Sequence, residues 1–587
     1  MIRSRRRRRS ATLLLAAALI GQACGEPNQP SGSAGAQSQA TSSTPASTGP
    51  FEPLLWPPDA DAPCDEVQAP DAARGAYAGT IRRIRAIDPA TVTFDLCAPD
   101  VAFPTRIALV PFAINDTGWL ESRIEPGGSG EQAIASAPNG TGPYRLEHWN
   151  RGSDMSLVRN DAYWGTAAGN ERLILRWGTD AAGRTDEVRS GAVDGADDLG
   201  RLGLDAVAAD VELKAVPRAG LNTFYVGFNN TYAPFDKVKV RLAIALGLDR
   251  ERIVESFYPP GSEVATHFSP CAIPFGCTGD PWYGFNPSAA RQLLVEAGYP
   301  DGFATRIQYR DVARPYLPDP TAVATEIQAQ LLANLNITAE LEVMPEETFL
   351  STVDQGGADG IHLLGRSASV PEVSDLLDPH FGAAASREFG DPIDAVVDAL
   401  TTGATTIDDA ARTTAYTEAN TGLRSNVPMI PIAHAGSLPV FRADVEPATT
   451  SPMRTERFAT MTPGDRRQFV WLAAAEPEGL YCADETSPVA HLACAQLAEG
   501  LLALDAGSAV VRAALATSCD PVPELASWTC TLRSGVSFHD GAALDANDVV
   551  LSFAAAWDAD HPLHAGRTGE FQPFIDTFGG LLNPPDS

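Results

Sequence analysis

The sequence predicts a mixed α/β protein folded as two lobes. Strand-like and helix-like segments alternate along most of the chain, the pattern of layered α/β architectures. Its 587 residues exceed what one hydrophobic core organises. A hydrophobic content of 44% with 20% charged residues is ordinary for a globular protein, so core can form over most of that length.

The elements follow from local chemistry. Thr91-Val-Thr-Phe-Asp-Leu96 alternates apolar and polar residues, as a half-buried strand does. Leu221 to Phe228 is almost continuously apolar, the mark of a strand covered on both faces. Asn286-Pro287 opens a helix with Ala290, Leu293, Leu294 and Ala297 on its apolar side, and Gly298 ends it. Val323, Ile327 and Leu331 recur at helical spacing. Asp391-Pro392 predicts a further helix start, with Ile393, Val396, Val397 and Leu400 inward. Asp545 stands where a helix carrying Val549, Val550, Phe553 and Trp557 needs a cap.

Seventy-four acidic against 43 basic residues give a formal charge of −31. Such a surface repels phosphate polymers, which argues against nucleic acid as a partner. At the N-terminus, Arg3 and Arg5 to Arg9 precede the apolar run Ala11 to Ile20 and then Gly21-Gln22-Ala23-Cys24. This is the three-part layout of a secretory signal, and the apolar run is too short for a stable membrane-spanning helix. The arrangement resembles a bacterial lipoprotein signal in which Cys24 becomes the lipid-modified residue; plain secretion with cleavage near Ala23 is the alternative. Asn28 to Pro50 is nearly all Ser, Gly, Ala, Gln, Thr and Pro, a flexible tether.

Setting Cys24 aside leaves eight cysteines, an even number that suits disulfides in an exported chain. Short spacings favour Cys271–Cys277, Cys482–Cys494 and Cys519–Cys530, leaving Cys64 with Cys97, among about 105 formal pairings. No Cys-x-x-Cys or close Cys/His quartet marks a metal site, and no cofactor motif is present. His561 and His564 lack a third ligand and read as surface histidines.

From Ile81 onward the chain resembles the peptide- and nickel-type extracellular solute-binding proteins of ABC importers, solute-binding family five. The resemblance is carried by Ile84 to Leu96, by Gly140-Thr-Gly-Pro-Tyr144 with Trp149, Asn160 and Tyr163-Trp164-Gly165, by Tyr225-Val-Gly-Phe-Asn-Asn230 with Leu248-Asp-Arg250, and by Asn286 to Phe303. Its order departs from the family. Phe469 to Glu478, Glu499-Gly-Leu-Leu502 and Trp528 to Gly541 with Asp548 to Phe553 are similar to the family's opening motifs, yet they come last. The resemblance therefore implies a two-lobe, hinged, periplasmic-binding-protein-like fold that is circularly permuted, spliced across Met461 to Arg466. A truncated two-copy chain is the competing explanation, but it would leave the first copy's sheet short of strands.

The expected organisation is a signal peptide over 1–24, a linker over 25–50 and the first lobe over 51–235. The second lobe would span 236–435, with a return to the first lobe over 436–465 and the rest of that lobe over 466–587. The resemblance implies a monomer held to the membrane outside the cytoplasm by its lipid, delivering a peptide-like or other small polar ligand to ABC permease subunits. It implies no catalysis and no cofactor. Peptide-binding relatives often anchor the ligand's ammonium group through an Asp where this chain has Ser369, which points away from a simple oligopeptide. Arg366, Ser367 and Ser369 are candidate ligand contacts in that segment. Tyr481, after the first family-like strand, Asn229, at a strand end near the expected hinge, and His434 complete the set, although turn-capping for Asn229 and core packing for Tyr481 and His434 compete. Trp149 and Trp164 read as core, and Gly140, Gly142 and Pro143 as backbone-shaping residues. A sensory or scaffold lipoprotein without transport is a second reading. A secreted hydrolase is a third; neither a Gly-x-Ser-x-Gly elbow nor a His-Glu-x-x-His helix is present.

Overall fold

Three large sheets and two two-stranded ribbons hold the strands of a computed structural model that describes residues 50–64, 77–124, 130–178 and 180–584. The signal-like segment, Cys24 and nearly all of the tether lie outside the described residues.

The first sheet is antiparallel, in the order Leu55–Trp56, Ile81–Asp88, Thr91–Leu96, Ser527–Leu532, Ala516–Pro521. The second has seven strands, ordered Tyr144–Asn150, Asp154–Arg159, Arg172–Trp177, Gln468–Ala473, Gly195–Ala196, Val440–Arg442, Leu213–Ala215. Gln468–Ala473 occupies its middle, parallel to Arg172–Trp177 from Gln468↔Arg172 to Ala473↔Trp177 and parallel to Gly195–Ala196 on the other side. Phe469, Trp471 and Leu472 are buried there, as a central strand requires. The last fifth of the chain thus completes both sheets begun by the first third.

The helix Ala546–Trp557 backs the first sheet. Asp545 and Asp548 close its N-terminus in a capping box. Phe553 packs edge-on against Phe94 at 5.0 Å and stacks on Phe112 at 5.8 Å, joining residues more than 400 positions apart in one core.

The third sheet runs Glu263–Val264, Met429–His434, Asn222–Phe228, Ile361–Ser367, Ala304–Tyr309, Thr338–Val343, and it has a separate core. Asn222–Phe228 pairs with Ile361–Ser367 and Met429–His434 at its centre, so the break between bodies falls near residue 221, earlier than the 235/236 boundary read from sequence. The strand Asn222–Phe228 is buried at every position because it is central to the third sheet.

Several helix ends follow their chemistry. Asn286 caps Pro287–Ala297 by accepting from Ala289 N–H, and Gly298 closes it at φ 91°. The helix expected at Asp391-Pro392 begins instead at Asp394. Asp391 is engaged elsewhere: its N–H donates to Asn230 Oδ1 and its carbonyl accepts from Asn230 Nδ2, both at 2.9 Å.

The chain crosses between the third sheet and the rest in two adjacent segments joined by an isolated antiparallel bridge. Arg218 and Ser437 exchange backbone hydrogen bonds of 2.9 and 3.1 Å, and Val216 N–H donates to Pro439 O. Beside this crossing, Arg218 is buried with Nη1 2.6 Å from Asp197 and Nη2 2.6 Å from Glu456. Arg454 adds contacts to Asp197 and Asp198. Arg201 reaches across to the carbonyls of Glu255 and Tyr258.

Four disulfides join Cys64 to Cys97, Cys271 to Cys277, Cys482 to Cys494 and Cys519 to Cys530. His561 and His564 are not surface residues: His561 is buried edge-on against Trp56 at 4.5 Å, and His564 lies 4.2 Å from the Phe571 ring. His267, Cys271 and Cys277 have metal-like spacing, but the two sulfurs are bonded to each other.

Candidate ligand cavity

A cavity of about 930 Å³ opens between elements of the first- and second-sheet bodies. Its walls come from Ala108 to Pro111, from Tyr163 to Ala167, from Thr455 to Thr460 and from Ala498 to Ala506, and Ser369 reaches it from the third-sheet body. That volume suits a ligand of a few residues or a comparable organic molecule.

Local structure explains the walls. The Gly140-Thr-Gly142 turn lies against the end of the helix Pro488–Leu497, where a β-carbon at 140 would stand 2.1 Å from Leu497 O. This close approach brings Tyr163 and Trp164, which follow in the same motif, onto Glu499. The Tyr163 hydroxyl donates to Glu499 Oε1 at 2.7 Å, and Trp164 Nε1 and Thr141 Oγ1 donate to Oε2 at 2.8 and 3.1 Å. Burial raises the Glu499 pKa against these donors. Trp164 packs against the first-sheet core and also lines the cavity, while Trp149 is half-buried against the second-sheet core, donating to Glu476 with Arg151 stacked on its ring.

The other charged groups on the walls differ in how they are engaged. Arg512 lies 3.4 Å from Asp505. His491 Nε2 sits 2.5 Å from Glu485 O, and burial lowers its pKa. Asp576 is exposed at the rim and accepts from Gln572. Arg457 is half-buried on the wall, and its guanidinium makes no hydrogen bond or ion pair within reach among the described residues. Desolvation lowers its pKa, opposed by the fields of Glu499, Tyr163 and Asp505.

Of the six ligand contacts proposed from sequence, only Ser369 lies on this cavity. Arg366 is committed to Asp375, donating from Nε to its carbonyl at 2.9 Å. Ser367 pairs with Asn222 in the third sheet. Asn229 sits at the end of its strand remote from the crossing, donating to Gly356 O and accepting from Thr231, beside a different cavity of about 390 Å³. His434 is buried with Nδ1 2.8 Å from Asn222 O, and burial holds it neutral with a pKa of about 4. Tyr481 is buried edge-on against Phe571 in the first-sheet core. Sequence reading missed Arg457, Tyr163 and the carboxylate of Glu499 as cavity groups. The last two were visible inside quoted motifs; Arg457 carried no signal, since nothing in sequence separates it from Arg454 three residues earlier.

The family model described as bacterial extracellular solute-binding proteins, family 5 Middle, matches residues 61–388 and 510–575. The chain belongs to this family. Among relatives of this family-5 solute-binding protein, di/tripeptide-binding protein 1 of Pseudomonas aeruginosa is 27% identical over 391 residues, covering 65% of this chain and 72% of the relative. Heme-binding protein A of Haemophilus influenzae is 24% identical over 384 residues, covering 64% of this chain and 69% of that one. The solved structure of HbpA2 from Haemophilus parasuis matches with a TM-score of 0.61 and 26% identity, covering 65% of this chain and 76% of that one. The two-lobe α/β architecture and the solute-binding role follow from this membership, and the family's members are binding proteins that work with ABC permeases.

Proposed function

We propose that this protein captures a small peptide-like or other small polar solute in the 930 Å³ cavity and hands it to an ABC permease outside the cytoplasm. The observation that carries the reading is the placement of the cavity. Its walls come from the first- and second-sheet bodies, with Ser369 supplied by the segment that follows Ile361–Ser367, so movement of the lobes about the paired crossing of Arg218 and Ser437 would shift that side of the wall. Closure would enclose the ligand and change the surface a permease meets. Binding and release suffice, and no bond in the solute need break. Relatives named for di/tripeptide and heme binding support a solute with polar groups on a compact body.

The N-terminal features support attachment by lipid at Cys24, with the segment to Pro50 as tether and the body acting as a monomer. The chain order supports a circular permutation in which 466–587 is the family's beginning, with the first lobe built from both ends of the chain and the second from about 221–435. The central position of Gln468–Ala473 and the split family match agree with it.

Native mass spectrometry of the gently purified protein tests the main reading. A small molecule released on denaturation, together with a shortened distance between labels on the two lobes when it is bound, is expected. A protein that encloses nothing and keeps one interlobe distance in cell extract would reject it.

A further inference from the structure

We propose that the solute held in the large cavity carries a carboxylate on an apolar body, and that Arg457 is the residue that recognises it. This rests on the cavity being the solute site. Each other charged wall group is accounted for: Glu499 by three donors, Arg512 and Asp505 by each other, His491 by a backbone carbonyl, and Asp576 by solvent and Gln572. Arg457 alone among them presents a half-buried guanidinium with its donors unused among the described residues.

The residue is also held in place. Arg454 and Glu456 are tied into the Arg218 network, and Phe458 is buried against Phe469 and Trp471 at 5.2 and 5.1 Å. The backbone at 457 is thereby fixed from both sides, and a preorganised guanidinium loses little freedom when it binds. Its planar fork of donors matches a carboxylate. A phosphate dianion would leave one charge uncompensated beside Glu499 and Asp505, so a singly charged group fits better. The neighbouring surface of Leu109, Val110, Pro111, Met453, Leu502 and Leu504 offers nothing to a second charge and suits an apolar body.

The test measures binding by calorimetry of matched probes: 4-phenylbutyrate and its amide, and the dipeptide Ala-Phe and its C-terminal amide. Wild-type protein is expected to bind at least one acid about tenfold or more tightly than its amide. Arg457→Gln should remove that preference, and Arg457→Lys should restore part of it. Cooperative thermal unfolding of both variants controls for folding. Equal binding of acids and amides, no binding of either acid, or an unchanged preference in Arg457→Gln would overturn the proposal. A co-purified solute without a carboxylate would also overturn it while leaving solute capture intact; an empty, rigid protein would remove both.

Discussion

Trp471 stands in register with Gly195 across the second sheet, and its indole fills the space a β-carbon at 195 would need, 2.7 Å from Cζ3. The two residues are 276 positions apart in sequence, yet each makes room for the other. Gly195→Val should therefore cost about 1–3 kcal/mol through overpacking, and Trp471→Ala about 3–5 kcal/mol through the cavity it leaves. Denaturant unfolding of the two variants checks both values.

The same strand decides how a shortened chain behaves. Removing residues 466–587 takes the centre from the seven-stranded sheet and two strands from the five-stranded one. Hydrogen exchange should show Ile81–Leu96 and Tyr144–Trp177 unprotected. Amides of Asn222–His434, whose core lies within its own body, should stay protected. Protection retained in the first two sheets would contradict the strand order.

At the crossing, Arg218→Met strands Glu456, which is 1% exposed, and removes one of the two arginines on Asp197. A loss of about 3–5 kcal/mol is expected, because an unpaired buried carboxylate remains. Adding Glu456→Gln should recover part of it in a double-mutant cycle. Independent, additive effects would mean the pair is not coupled.

His434 sets a pH dependence. Burial lowers its pKa from 6.5 to about 4. Between these values the unfolded chain takes up a proton that the folded protein refuses, so stability rises with pH across the window and is lost as pH falls through it. The contribution is about 3 kcal/mol. Stability measured from pH 4 to 7 should show a shallower slope in His434→Asn than in wild type.

Asp378 acts in the opposite sense. Burial, with Glu372 and Asp375 nearby, pushes its carboxyl up from 3.8 to about 7. The folded state binds the proton more tightly than the unfolded chain, so stability falls as pH rises between those values. Asp378→Asn should stabilise the protein by about 4 kcal/mol at pH 8 and by almost nothing at pH 4. An equal effect at both would show that the carboxyl does not titrate in this window.

What the sequence determined by itself was local: the Asn286 cap and Gly298 stop, the helix cap at Asp545, the buried strand ending at Phe228, and the family motifs. Each depends on neighbours a few residues away, where side-chain chemistry and backbone hydrogen bonding act directly. The tertiary structure decided what lies far apart in sequence and close in space. It placed Gln468–Ala473 between strands from residues 172–196, moved the body boundary ahead of Asn222, bound Arg366 to Asp375, and left Arg457 on a cavity wall with no hydrogen bond or ion pair among the described residues. An arginine's role depends on which carboxylates fold up beside it. Arg454 and Arg457 look alike in the sequence, and only the folded chain sets one against Asp197 and Asp198 and the other on a cavity wall.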